Sequence, residues 1–152
     1  MTAPNLSYRT SSSRTSSGVG LVILLYEQLV QDLRRAAAAI DTADIQARTF
    51  ELGHALEVVG NLQARLDMQA GGQVAQDLDR FYAGLQAGVL KAQTTVSKPL
   101  LMRLIENVLS VRGAWLEVER LNALESAPAE PAALHKLETQ EGTSWGPRNW
   151  KA

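Results

Sequence analysis

The chain has 152 residues, a net charge of −1 and no cysteine. Its length suits one domain with a buried core plus terminal segments. The near-neutral charge and the scattered Lys and Arg residues predict no nucleic-acid partner, and the lack of cysteine excludes disulfides and thiolate metal sites. The longest apolar run, Val19–Tyr26, is far shorter than the roughly 20 residues of a membrane span, so no membrane insertion is expected.

The first 17 residues contain nine Ser or Thr, two Arg and no acid. Such a polar segment cannot bury enough apolar surface to offset the entropy lost on ordering. Residues 1–17 are therefore predicted to form a flexible arm, with Leu6 and Tyr8 as its contact points. The arm also lacks the basic start, apolar stretch and cleavage site of a secretion signal, so a cytoplasmic location is expected.

Apolar residues at spacings of three and four then predict amphipathic helices. The first helix runs from about Gly18 to Ile40, and the acidic turn that follows offers N-cap side chains such as Asp44 for the second. Gly71-Gly72 is predicted to close the second helix as a flexible C-cap. The inward stripe of the second helix is predicted to be Ile45, Thr49, Leu52, Leu56, Val59, Leu62 and Leu66.

The third and fourth helices follow the same period. Ser97 is an N-cap candidate for the fourth helix, and Pro99 fits its first turn, where a missing N–H costs nothing. The inward residues of the third helix are predicted to be Val74, Leu78, Phe81, Leu85, Val89 and Ala92, and those of the fourth Leu101, Leu104, Ile105, Val108, Val111, Trp115, Val118 and Leu121. Short connections between long helices predict an all-α, antiparallel, up-and-down four-helix bundle over residues 18–125.

Residues 126–152 form a mostly polar, Pro-containing tail that carries Trp145 and Trp150. Two tryptophans in such a segment can dock on the bundle or on a partner. The alternative is that the tail has no role, because terminal segments tolerate change best.

The sequence offers little catalytic chemistry. Glu51-x-x-His54 matches one half of the pattern by which carboxylate bundles hold two metal ions, but it occurs once, so a solvated pair on an exposed face is the better interpretation. His54 also begins HALEVVGN, which invites comparison with histidine phosphotransfer bundles. Leu56 fits that family, whereas Glu57 and Val58 stand where it has Lys and Gly. We therefore predict no enzyme, metal or cofactor, with phosphotransfer through His54 as the alternative.

The informative feature is a surplus of apolar residues. Ile23 and Val30 on the first helix, and Leu109 and Leu116 on the fourth, are displaced from the predicted inward lines, and Ile105 extends the second stripe of the fourth helix. The first and last helices of an up-and-down bundle are neighbours, so these residues are expected to edge one groove. Such a groove suits an amphipathic helix from another chain. Alternatively, these residues pack under the terminal segments or in a homodimer.

With these segments placed, the sequence resembles the flagellar secretion chaperone family (FliS). Three stretches carry the resemblance: the aliphatic run 21–25 that ends in Tyr26 and Glu27, the corner at residues 39–45, and the corner from Leu66 to Gly72 with its continuation to Tyr82. The match spans about residues 17–119. This chain departs from the family at Gly18, where a proline is usual, and at Gly84, where a second tyrosine is common.

The resemblance implies an export chaperone that binds the C-terminal segment of flagellin in the cytoplasm. It would prevent premature polymerisation and deliver flagellin to the type III export apparatus, with an export gate component as a second partner. It also implies that the arm covers the empty groove through Leu6 and Tyr8. The residues we expect to face flagellin are Ile23, Tyr26, Val30, Ile105, Leu109 and Leu116, followed by Tyr82 and Leu85.

Overall fold

The computed structural model describes residues 18–126, and all regular elements in this range are helices. The predicted all-α four-helix bundle is confirmed. The predicted arm with Leu6 and Tyr8, and the tail from residue 127 onward with Trp145 and Trp150, lie outside the described residues. The four helices are α1 (Gly18–Asp41), α2 (Ile45–Ala64), α3 (Gly72–Thr95) and α4 (Lys98–Glu125).

Local capping sets two of the helix starts. The Asp44 carboxylate accepts a hydrogen bond of 3.0 Å from the backbone N–H of Ala47, at the N-terminus of α2. The Ser97 hydroxyl accepts one of 3.2 Å from the backbone N–H of Leu100, at the N-terminus of α4. Each side chain satisfies a donor that the first helical turn leaves free. Both predicted N-caps are therefore confirmed.

The predicted C-cap at Gly71-Gly72 is wrong, because α2 ends earlier, at Ala64, and the glycines lie at the start of α3. The Asp67 carboxylate accepts hydrogen bonds from the backbone N–H groups of Gln69 and Ala70, at 3.1 and 2.9 Å, and turns the chain before it reaches the glycines. A Cβ atom on Gly71 would lie 2.7 Å from the carbonyl oxygen of Asp67. Glycine is needed here for close backbone approach and for the positive φ of Gly72.

Contacts at both ends of α2 show that it runs antiparallel to α3. Near the C-terminus of α2, the Gln63 amide donates to the Asp79 carboxylate at 2.9 Å. Near its N-terminus, Arg48 Nε donates to Gln93 Oε1 at 3.1 Å. Residues early in one helix thus meet residues late in the other.

Helices α1 and α4 are also antiparallel neighbours. Lys98, the first residue of α4, pairs with Asp41, the last residue of α1, with Nζ 2.7 Å from Oδ2. Fourteen residues further into each helix, the guanidinium of Arg112 pairs with the carboxylate of Glu27. The first and last helices are therefore adjacent, as the up-and-down order requires.

The core takes side chains from all four helices, and several predicted inward positions need correction. Ile45 and Val74 are 63% and 67% exposed because they occupy first turns of α2 and α3, and Val118 and Leu121 are exposed toward the end of α4. The largest fully buried apolar side chains are Ile23, Tyr26, Leu29, Leu33, Val59, Leu62, Tyr82, Val89, Leu101 and Val108.

Residues 18–119 belong to one compact unit and residues 120–126 to a second. Both the groove predicted between the first and last helices and the caps described above lie in the first unit. None of the four helices is long and apolar enough to cross a membrane. The domain boundaries at residues 17 and 125 stay predictions.

Candidate functional site

Most of the residues predicted to face a partner are buried. Ile23, Tyr26, Val30, Tyr82, Leu85 and Ile105 each expose 3% of their surface or less. The expectation that Ile23 and Val30 lie outside the inward line is wrong, because α1 packs against neighbours on two sides and both of its apolar stripes point inward. Only Leu109, 37% exposed, and the half-buried Leu116 present surface to solvent. Partner contact by any of the eight stays a prediction.

Two tyrosines join α1 to α3 inside the bundle. The hydroxyl oxygens of Tyr26 and Tyr82 are 2.9 Å apart, and the rings meet edge to face with centroids separated by 6.3 Å. Burial raises the pKa of Tyr26, although hydrogen bonds from Tyr82 and Trp115 oppose the shift. Burial and the hydrogen bond to Tyr26 together raise the pKa of Tyr82. The tyrosine pair joins α1 to α3, and the hydrogen bond from Trp115 adds α4 to the same contact. Both hydroxyl groups are buried and are not offered to a ligand.

A buried carboxylate organises the contact between α1 and α2. Asp32 is fully buried, and its oxygens lie 2.9 Å from the Gln28 amide nitrogen, 3.2 Å from Arg35 Nη2 and 2.6 Å from His54 Nδ1. Arg35 also donates to Glu51 at 3.2 Å. The predicted solvated pair of Glu51 and His54 is therefore wrong, since both side chains bind partners on α1. Sequence reasoning missed Asp32, although its spacing from Leu29 and Ala36 places it on an inward stripe.

Within residues 18–126, no group of three or more His, Asp or Glu side chains is arranged to hold a metal ion. His54 keeps part of its ring in solvent, with 40% of the side chain exposed. Its Nδ1 is occupied by Asp32, and Glu51 is held by Arg35. The arrangement serves helix packing.

A cavity of about 310 Å³ opens between α1 and α4. We call it the α1–α4 cavity. Val30 and Leu109 supply its apolar wall, while the exposed side chains of Gln31 and Arg34 border it on α1. The remaining lining residues, Glu27 and Arg112, form the ion pair that joins the two helices. The predicted groove between first and last helices is thus present, with Leu109 at its edge and polar side chains that sequence reasoning did not include.

A second cavity, of about 220 Å³, lies between α3 and α4 and is lined by Phe81, Gly84, Leu85, Leu104 and Asn107. Gly84 contributes to it by lacking a side chain, and a Cβ atom there would meet no other atom within 4 Å. Leu85, one of the predicted partner-facing residues, reaches this cavity from the core. One cavity thus borders α4 toward α1, and the other borders it toward α3.

Comparison with known proteins identifies relatives of this chain. The protein-family model described as "Flagellar protein FliS" matches residues 1–122 of this chain. The chain is 30% identical over 95 residues to flagellar secretion chaperone FliSB of Pseudomonas aeruginosa, covering 62% of this chain and 75% of that protein. It is 26% identical over 98 residues to flagellar secretion chaperone FliS of Vibrio cholerae, covering 64% and 72%. The chain belongs to the FliS family of flagellar proteins.

Proposed function

We propose that this chain is a cytoplasmic export chaperone that binds the C-terminal segment of flagellin, prevents its premature polymerisation and delivers it to the flagellar type III export apparatus. Membership of the FliS family and similarity to two secretion chaperones support this role. The proposed activity is binding, without a catalytic step or a cofactor.

The observation that carries the proposal is the open, partly apolar α1–α4 cavity. Leu109 and Leu116 stand seven residues apart, two turns along one face of α4, and both retain exposed surface. An apolar edge of this kind fits an amphipathic helix whose apolar residues recur every three or four positions. The family resemblance implies that flagellin's C-terminal segment, which becomes helical in the filament core, is the helix that binds there.

The energetics require more than one contact. Full burial of a Leu side chain contributes roughly 1.5–3 kcal/mol, and Leu109 is already mostly covered in the free chain. Ordering a disordered segment costs about 2–5 kcal/mol or more. Stable binding therefore needs several apolar contacts along the groove. Val30 already lines the α1–α4 cavity, whereas the buried residues Ile23 and Ile105 would join these contacts only if the helices shift when the segment binds.

Further parts of the proposal concern partners outside the cavity. The arm is proposed to cover the empty groove through Leu6 and Tyr8, and to contact an export gate component. A homodimer joined through the same exposed apolar surface is the competing use of the site. The proposals for the arm and the export gate rest on the family resemblance, whereas the homodimer alternative rests on the exposed apolar residues alone.

Isothermal titration of the full chain with the C-terminal segment of flagellin from the same organism tests the proposal. We expect saturable one-to-one binding with a negative heat-capacity change, which is the mark of buried apolar surface. Leu109→Glu should weaken binding at least about tenfold, since it places a charge in the apolar wall. Leu90→Glu is the matched control, because Leu90 is 55% exposed on α3 and lines neither cavity.

Far-UV circular dichroism should show unchanged helicity in both variants. Equal loss of binding in Leu109→Glu and Leu90→Glu would place the groove elsewhere. A folded wild-type chain that does not bind the segment would contradict the proposed function itself.

A further inference from the structure

We infer that Arg34 gives the α1–α4 cavity its selectivity by pairing with an acidic side chain of the bound helix. The inference rests on the proposed function and names the kind of segment the site accepts: an amphipathic helix with a carboxylate about one turn from an apolar residue.

The charges around the cavity single out Arg34. The guanidinium of Arg112 is engaged by Glu27, with Nε 3.1 Å from Oε2. Arg34 is exposed and lines the same cavity, yet it makes no hydrogen bond or ion pair within residues 18–126. Because Glu27 and Arg112 offset each other, the charge that Arg34 brings to the cavity is uncompensated. The opening therefore favours a negatively charged group.

The neighbouring residue types fit a helix better than a free anion. Val30 and Leu109 form an apolar wall beside Arg34, whereas a site for a small anion would surround it with donors. Residues three or four apart on a helix are about 5–6 Å from each other. A helix that places an apolar side chain against Leu109 can thus present a carboxylate from its next turn to Arg34, and Gln31 can hydrogen-bond at the same edge.

The apolar contact at Leu109 and the ion pair at Arg34 would contribute differently to recognition. Apolar burial at Leu109 supplies affinity, while the guanidinium rejects segments that bring a positive charge or an apolar group to its position. A bidentate hydrogen bond from the planar guanidinium of Arg34 to a carboxylate also fixes the register of the bound helix. Apolar repeats alone specify register poorly, since a shift of one helical turn presents a similar face.

The test compares Arg34→Gln with Arg103→Gln in the full chain. Arg103 is an exposed arginine on α4 that lines neither cavity, so it controls for the loss of one positive charge. The probes are the C-terminal segment of the organism's own flagellin and versions in which each Asp or Glu is replaced by its amide. Affinity is measured by titration calorimetry at low and at physiological salt, after far-UV circular dichroism has established equal helicity.

We expect Arg34→Gln to weaken binding by about two- to fivefold, as for a partly solvated ion pair, and Arg103→Gln to leave it nearly unchanged. One of the acid-to-amide probes should bind the wild-type chain more weakly by the same factor. The same probe should bind Arg34→Gln no more weakly than the unmodified segment does, which identifies the acidic residue that pairs with Arg34. The loss should shrink at higher salt.

Two results would overturn the inference while leaving the chaperone role intact. One is wild-type affinity in Arg34→Gln although Leu109→Glu weakens binding. The other is strictly additive losses for every acidic residue of the segment, which would show that Arg34 contacts none of them. If the wild-type chain does not bind the segment at all, the proposed function fails and the inference falls with it.

Discussion

Helix α1 presents two very different sides. Toward α2, the fully buried Asp32 gathers donors from Gln28, Arg35 and His54, and Arg35 links it to Glu51. Toward α4, one ion pair between Glu27 and Arg112 borders an open cavity where Arg34 has no partner within the described residues and Leu109 stays partly exposed. One side is closed by satisfied polar groups and the other is left open.

The difference indicates how the bundle separates stability from binding. A buried acid that keeps all its partners resists opening, because any movement would leave it unsatisfied. An exposed leucine beside an unpaired arginine contributes little to the free chain and can be used by a ligand. Substitutions on the α2 side of α1 should therefore mainly lower the free energy of unfolding, whereas substitutions on the α4 side should mainly weaken binding.

The largest effect is expected for Asp32→Ala. It strips three side chains of their shared acceptor, which we expect to lower the free energy of unfolding by about 2–3 kcal/mol. Asp77→Ala is the matched control, since Asp77 is an exposed acid that contacts Arg80 and Gln73 on its own helix α3, and it should cost less than about 0.5 kcal/mol. Urea denaturation measures both, and equal stability of the two variants would remove the contrast between the sides of α1.

His54→Ala should have a smaller effect on the same side. Asp32 loses its 2.6 Å contact but keeps Gln28 and Arg35, so we expect a loss of about 1 kcal/mol. Flagellin binding and swimming motility should persist. Abolished function in a variant that remains folded would instead favour the phosphotransfer alternative.

Tyr82→Phe probes the link between α1 and α3. At pH 7 it removes one buried hydrogen bond, worth about 1 kcal/mol, while Tyr26 keeps Trp115. Burial raises the pKa of both tyrosines in the folded chain above the ordinary value of 10.0. Their protonated forms therefore stabilise the fold fully below pH 10, and this contribution is lost as pH rises further.

The wild-type chain should accordingly lose stability steeply above pH 10. Tyr82→Phe removes one of the two buried titrating groups, so its stability should fall less steeply over the same range. Denaturation series at pH 8, 10 and 11 measure this. Parallel pH profiles for the two chains would contradict the assignment.

The smallest effect is expected for Arg112→Gln, on the open side of α1. The Glu27–Arg112 pair is partly solvated, with side chains 34% and 28% exposed, so its loss should cost less than about 1 kcal/mol. Thermal denaturation should place this variant well above Asp32→Ala. A destabilisation as large as that of Asp32→Ala would mean that the open side also holds the fold together.

Whether a structural feature could be predicted from the sequence depends on how far apart in the chain the interacting residues lie. The caps at Asp44 and Ser97 involve neighbours three residues away, and both were predictable. The early end of α2 was not predictable, because the Asp67 carboxylate turns the chain by accepting hydrogen bonds from the backbone N–H groups of Gln69 and Ala70, which apolar periodicity does not register.

The site depends on contacts between helices, and periodicity describes one helix at a time. Ile23 was expected at a groove edge and is fully buried, since α1 has neighbours on two sides. Leu109 was correctly predicted at the edge of the α1–α4 groove, because it lies well around α4 from the predicted inward line. The burial of Asp32 and the unpaired state of Arg34 follow from which residues stand opposite them, which only the assembled bundle determines.

The most direct test of the account locates the bound flagellin segment on the bundle. The chain contains no cysteine, so Leu109→Cys and Leu90→Cys each carry a single thiol whose rate of reaction with a maleimide can be measured. With the segment at ten times its dissociation constant, we expect position 109 to react about tenfold more slowly and position 90 at an unchanged rate. An unchanged rate at position 109 while the segment is bound, or protection at position 90 instead, would contradict binding at the α1–α4 cavity.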